Sequence, residues 1–126
     1  MDLNDLKRKV QAARRFTVEV EGRHLVLQRP SDFDLQMAGA RAGLSGGKPD
    51  GRLLWERLVI CGALVDWTGV VASDFGLDGD DTPTPYHAEA VALLLDAQPD
   101  WAQKLSLALF AAIAAANHEK SEAEKN

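Results

Sequence analysis

Leu53 to Val70 reads LLWERLVICGALVDWTGV, and how this stretch is divided decides the fold. Leu53, Leu54, Leu58, Cys61 and Val65 recur at helical spacing, with Glu56 and Arg57 mostly between them. That spacing predicts a helix stopping near Asp66. Trp67 then lies just past the helix end, where the indole folds back on the core and its N–H meets a carbonyl or water. Gly69 lets the chain turn, so Trp67 and Gly69 form a structural turn. This locates the core without naming any chemistry.

Upstream, Asp2 to Arg15 predicts a short polar helix or arm over residues 1–15, with Leu3, Leu6, Val10 and Ala13 in one narrow apolar stripe. The same segment is basic at Lys7, Arg8, Lys9, Arg14 and Arg15. A solvated face accounts for these cations better than a nucleic-acid patch, because no aromatic residues interleave and the chain is acidic overall. Phe16 to Val20 and His24 to Gln28 alternate apolar and polar residues around Glu21-Gly22, which predicts a β-hairpin. Phe16, Val18 and Val20 then share one face, as do Leu25 and Leu27. Ser31 and Asp34 read as the cap of a helix from Asp32 to about Ala42. The glycine-rich segment from Leu44 to Gly51 reads as a loop; it lacks the spacing and the hydroxyl residue of a phosphate-binding loop.

Downstream, Val70 to Phe75 suits either an extended piece or one helical turn. Asp74 to Pro85, DFGLDGDDTPTP, reads as a solvated acidic loop. Two calcium-loop frames fail: from Asp74 the twelfth position is Pro85, and from Asp78 the sixth is Pro83. Thr84-Pro85 would cap a helix from Tyr86 to Ala97 with Ala90, Val91, Leu94 and Leu95 on one face. Pro99 opens a last helix, Asp100 to about Glu122, joined so closely to its predecessor that the two form an αα-hairpin. Trp101, Leu105, Leu109 and Ile113 lie along one stripe of it, and Leu107, Phe110 and Ala114 along a second. Two stripes are more than one small core usually covers. The second is therefore either buried between helices or a candidate self-association or partner surface. Residues 118–126 are polar and expected to fray.

A chain of 126 residues is the size of one domain that buries roughly two thirds of its unfolded surface. The expected fold class is α+β, mainly α-helical: an N-terminal β-hairpin packed on about four to five helices that end in an αα-hairpin. The net charge is −5, yet residues 1–63 carry 11 Lys+Arg against 8 Asp+Glu, and residues 64–126 carry 3 against 11. The two halves match inside the fold, or between copies stacked head to tail. No apolar run is long enough to span a bilayer and the N-terminus carries no secretory signal, so a cytoplasmic protein is expected. Cys61 has no disulfide partner and reads as a buried inert thiol. His24, His87 and His118 show no ligand-like spacing, and no nucleophile–base grouping or dinucleotide fingerprint is present. An enzyme is not expected, and no cofactor or metal is implied. A small helical DNA-binding or regulatory protein using the C-terminal helix pair is the alternative. Its second helix, however, offers only Gln103, Lys104 and Ser106 to bases and phosphates within an acidic half.

The order of parts carries more information than any one part. FTVEVEGRHLVLQRPSDFD from Phe16, a central helix closing on Val65-Asp66-Trp67-Thr68-Gly69-Val70, an acidic Pro-containing loop, Pro85 with a helix, the D-x-x-P-D-W junction from Asp96 to Trp101 and a terminal EAEKN follow one another. This order resembles the tail assembly chaperones of long-tailed bacteriophages and prophages, from about Phe16 to Asn126. The resemblance implies a non-enzymatic factor of the host bacterial cytoplasm, absent from the mature virion. Such a factor binds the tape measure protein, keeps it from aggregating and helps tail tube protein polymerise around it. It also implies a homo-oligomer without nucleic-acid or membrane partners, and it transfers no set of binding residues. Within this chain, Leu107, Phe110 and Ala114 are the candidate contacts to a neighbouring copy or to the client.

Overall fold

The computed structural model describes residues 1–43 and 51–125. Among these residues, five α-helices and a three-stranded antiparallel sheet make an α+β, mainly α-helical fold. Helix α1 (Leu3–Arg14) begins at Asp2, whose Oδ1 accepts the Asp5 N–H at 2.8 Å. It passes without a linker into β1 (Arg15–Val20), which pairs with β2 (Arg23–Gln28) around the Glu21-Gly22 turn. Both turn residues have positive φ, as a two-residue hairpin of right-handed twist requires. Val20, Leu25 and Leu27 are buried on one face, as their alternation predicts. Helix α2 (Asp32–Gly43) carries the expected reciprocal cap: Ser31 Oγ accepts from the Asp34 N–H at 3.1 Å, and Asp34 Oδ2 from the Ser31 N–H at 3.1 Å. The glycine-rich segment that follows, residues 44–50, lies outside the described residues.

The quoted stretch divides earlier than its periodicity predicts. Helix α3 (Gly51–Ala63) stops at Ala63, and Leu64–Thr68 forms a third strand, β3, antiparallel to β2. Leu25 pairs with Trp67, Val26 with Asp66 and Leu27 with Leu64, which leaves Val65 as the extra residue of a β-bulge. A regular strand would turn Leu64 and Trp67 to opposite faces. The bulge turns both inward, at 1% and 3% exposure. Trp67 Nε1 then donates to Thr84 O at 2.9 Å, the carbonyl partner expected of a buried indole. Gly69 has φ +83, and an added Cβ would lie 3.2 Å from Gly22 O, so the turn needs glycine twice over.

The buried face of α3 also differs from the expected one: Val59, Ile60 and Ala63 enter the core, whereas Leu53 is 68% exposed and Leu54 is also exposed. Nor does Thr84-Pro85 cap a long helix. Residues 84–87 are non-helical, Ala88–Ala90 make a single 3-10 turn, and helix α4 spans only Val91–Ala97. The Thr84 N–H donates to Val70 O at 2.9 Å and Tyr86 Oη to Leu64 O at 2.8 Å, so tertiary bonds hold this segment in non-helical form. Helix α5 (Pro99–Lys125) is longer than expected and stays helical beyond His118. Val91, Leu94 and Leu95 of α4 and Trp101, Leu105 and Leu109 of α5 close the core over β2, β3 and α3.

Within the acidic loop, Ala72–Phe75 forms one 3-10 turn. Asp74 is not solvated there: it is 5% exposed, and its carboxylate takes Arg23 Nε at 3.0 Å and Nη2 at 2.7 Å. Asp74 Oδ2 also accepts the Val71 N–H at 3.0 Å. Arg23 in turn lies 5.4 Å from the Trp101 ring centroid, and Trp101 Nε1 donates to Glu21 Oε2 at 3.2 Å. The hairpin, the loop and the start of α5 thus share one polar network. Arg23–Asp74 and Arg57–Asp96 both join the basic half to the acidic half, so part of the charge asymmetry is matched internally.

Candidate functional site

The residues that α3 turns away from the core face α5 across an open groove of 1220 Å³. Its base is aromatic: the Trp55 and Phe110 rings lie 5.2 Å apart at 34°, and Trp55 Nε1 is tied back to Leu35 O at 3.4 Å. Its walls are leucines, Leu53 and Leu54 from α3 and Leu107 from α5, with Leu107 69% exposed. Its rim is charged and paired, Arg52 with Glu56 at 3.4 Å and Arg57 with Asp96 at 2.5 Å. An apolar floor between ionic rims suits the apolar face of a helix.

Of the three residues singled out on α5, Leu107 and Phe110 line this groove, whereas Ala114 lies one turn farther along the same side and is exposed. Phe110 is half-buried against the core, so it is as much a structural support for Trp55 as a contact. Leu53 and Leu54 complete the wall but were expected in the core. Their sequence signal was ambiguous because α3 is apolar on two sides, and only its neighbours decide which side is covered. Trp67 and Gly69 sit away from the groove, in the sheet and its exit turn.

Chemistry elsewhere is sparse. Among the described residues no group of three or more His, Cys, Asp or Glu side chains could hold a metal ion, and His24, His87 and His118 are all exposed. Cys61 is half-buried rather than fully buried; burial pushes its thiol above the usual 9.0, against a smaller opposing effect of the Arg57 charge. A raised thiol is a poor nucleophile. Lys104 of α5 points at the hairpin, where Nζ donates to Glu19 O at 3.2 Å. No described helix is long and apolar enough to cross a membrane.

A second apolar surface lies at the N-terminus. Helix α1 buries none of its residues, and Leu3, Leu6 and Val10 are 63%, 48% and 43% exposed along one stripe. Comparison of the chain with protein-family models, with curated proteins and with solved structures finds no match. The functional reading therefore rests on these two surfaces and on the order of parts in the sequence.

Proposed function

We propose that this protein is a non-enzymatic tail assembly chaperone of a long-tailed bacteriophage or prophage. It works in the host bacterial cytoplasm, binds the tape measure protein, keeps it soluble and promotes polymerisation of tail tube protein around it, and it is absent from the mature virion. One observation carries the reading: the leucine-walled groove between α3 and α5, open to solvent over an aromatic base. A client that is a long helix with recurrent apolar residues presents the i, i+3, i+4, i+7 anchors that such a groove accepts. Burial of each large apolar side chain there contributes roughly 1.5–3 kcal/mol before ordering costs. Several shallow grooves acting along one client therefore hold it reversibly, as an assembly factor must release it.

Co-expression with the very long helical protein encoded beside the tail tube gene tests this reading. The wild-type chain raises the soluble fraction of that protein, and Leu53→Asp with Leu107→Asp abolishes the gain while the chaperone itself stays folded. An unchanged soluble fraction with wild type overturns the proposal.

A further inference from the structure

Alone among the described α-helices, α1 buries none of its residues. A helix of 12 residues is marginal in water unless its apolar face packs on something. Such a face is present: Leu3, Leu6, Val10 and Ala13 recur at i, i+3, i+7 and i+10, and the first three are 63%, 48% and 43% exposed. Nor has α1 the slack to fold back on the body. It runs into β1 with no intervening residue, and the Arg29 N–H donates to Arg14 O at 2.9 Å.

The charges around the stripe indicate what covers it. From Leu3 to Arg14 four cations, Lys7, Arg8, Lys9 and Arg14, stand against one carboxylate, Asp5, and Arg15 follows at once. Asp5 pairs with Arg8, which lies on the side of the helix away from the stripe. At about 100° per residue, Lys7 and Arg14 border the stripe on one side and Lys9 borders it on the other. None of these three side chains has an ion-pair partner among the described residues. The uncharged Asn4 and Gln11 share the back of the helix with Arg8. Apolar in the middle, cationic at both borders and polar behind is the order that a flat anionic boundary requires. The leucines enter the acyl edge, the long stems of the border cations lie along it, and their heads meet lipid phosphates.

Other covers fit less well. A nucleic-acid backbone needs cations at the centre of the contact, where α1 presents leucine and valine. A specific protein interface takes roughly 800 Å² and about 20 residues from each partner, and its strongest contacts are aromatic or arginine anchors seated in pockets. The stripe offers four aliphatic side chains and no aromatic one. A bilayer demands no such complementarity.

We infer that α1 is an interfacial helix that holds the protein on an anionic phospholipid surface, with Leu3, Leu6 and Val10 in the headgroup–acyl boundary and Lys7, Lys9 and Arg14 on lipid phosphates. The helix lies in the plane of the surface: its 12 residues extend about 18 Å, short of the roughly 30 Å of a hydrocarbon core. So short an apolar face makes the attachment reversible and dependent on the lipid charge. No α1 residue lines the α3–α5 groove, so lipid contact and client contact are separable.

The test is co-sedimentation of the full chain with lipid vesicles at low salt. Wild type pellets with vesicles of equal parts phosphatidylglycerol and phosphatidylcholine, stays in the supernatant with phosphatidylcholine alone, and is released from the mixed vesicles by high salt. Leu6→Asp lowers the partition coefficient about tenfold, and so does Lys7→Gln with Lys9→Gln, which keeps good helix formers at both positions. Far-UV circular dichroism verifies that each variant is folded. Leu53→Asp with Leu107→Asp, which alters the groove and leaves α1 intact, pellets as wild type does. Equal binding to both vesicle types overturns the inference, as does no binding to either. Undiminished binding by the α1 variants also overturns it, and so does loss of binding in the groove variant, which assigns the lipid contact to the groove leucines. Release from the mixed vesicles by duplex DNA at equal phosphate concentration identifies a general polyanion site and overturns it as well. Client solubilisation enters none of these readings, and Leu6→Asp solubilises the client as wild type does, so the inference and the chaperone reading fail separately.

Discussion

Asp74 shows how much a single side chain contributes to this fold. Its carboxylate is nearly covered and holds Arg23 through two nitrogens, while the Arg23 side chain keeps 24% exposure and lies over Trp101. Removing one partner of such a pair strands the other charge, which costs more than the pair itself contributes. Asp74→Ala is expected to lower the unfolding free energy by about 3 kcal/mol in urea titrations, the lower end of the range for buried pairs because Arg23 keeps some water. Tyr86 is a second such residue. Its hydroxyl donates to Leu64 O, and burial, with a smaller effect of the Asp66 charge, raises its phenol above the usual 10.0. A raised folded value favours the protonated form, so this contribution is complete below pH 10.0 and is lost as pH rises through the folded value. Tyr86→Phe is therefore expected to cost about 1 kcal/mol at neutral pH. Its deficit relative to wild type narrows above pH 10, which denaturation curves at pH 8 and pH 10.5 check.

Among the elements, β3 is the one whose identity was hardest to read. Leu64 and Trp67 are three residues apart, which is close to one helical turn, and the pattern continues from Leu58 and Cys61. A strand normally betrays itself by alternation, but the bulge at Val65 converts a period of two into a spacing of three. Removing the bulge residue should restore the ordinary pattern. Deletion of Val65 leaves Leu64 opposite Leu27 and still inward, so the variant is expected to fold and unfold cooperatively. Insertion of one alanine after Val65 instead displaces Leu64 from its place opposite Leu27 and costs about 2–5 kcal/mol, the range for losing a buried leucine. Equal stability of the two variants would show that the register is set elsewhere. The segment before α4 failed for the opposite reason: Thr84-Pro85 is a sound local cap signal. Bonds from Thr84 to Val70 and from Tyr86 to Leu64 override it.

For the whole molecule, Trp67 joins the parts. It lies on the strand that pairs with the hairpin, 4.9 Å edge-on from Tyr86 and 6.2 Å from Phe75, with its N–H on Thr84. The sheet, the acidic loop and the approach to α4 all meet on one indole. Trp67→Ala is expected to cost about 3–5 kcal/mol, measured as a lower thermal midpoint and a lower urea midpoint with unchanged slope. Unaltered midpoints would place the ring outside the core. At this scale the charge asymmetry also divides: Arg23–Asp74 and Arg57–Asp96 match the halves internally, whereas Arg8 of α1 pairs within its own helix, with Asp5.

By itself the sequence determined the local elements whose signals are local: the hairpin with its Glu21-Gly22 turn, the Ser31–Asp34 cap, the α4–α5 hairpin and the core stripe Trp101, Leu105, Leu109. Each rests on periodicity or on bonds within a few residues. It also placed Leu107, Phe110 and Ala114 on a second stripe of the last helix, but not what lies opposite them. Only the tertiary structure decided that β3 joins the sheet, that Asp74 is buried on Arg23, and that Leu53 and Leu54 wall a groove with Leu107. The physical reason is common to all three. Each depends on a partner distant in the chain, Leu25 for Trp67, Arg23 for Asp74 and α5 for α3, and an apolar or charged residue carries no mark of which distant neighbour will cover it.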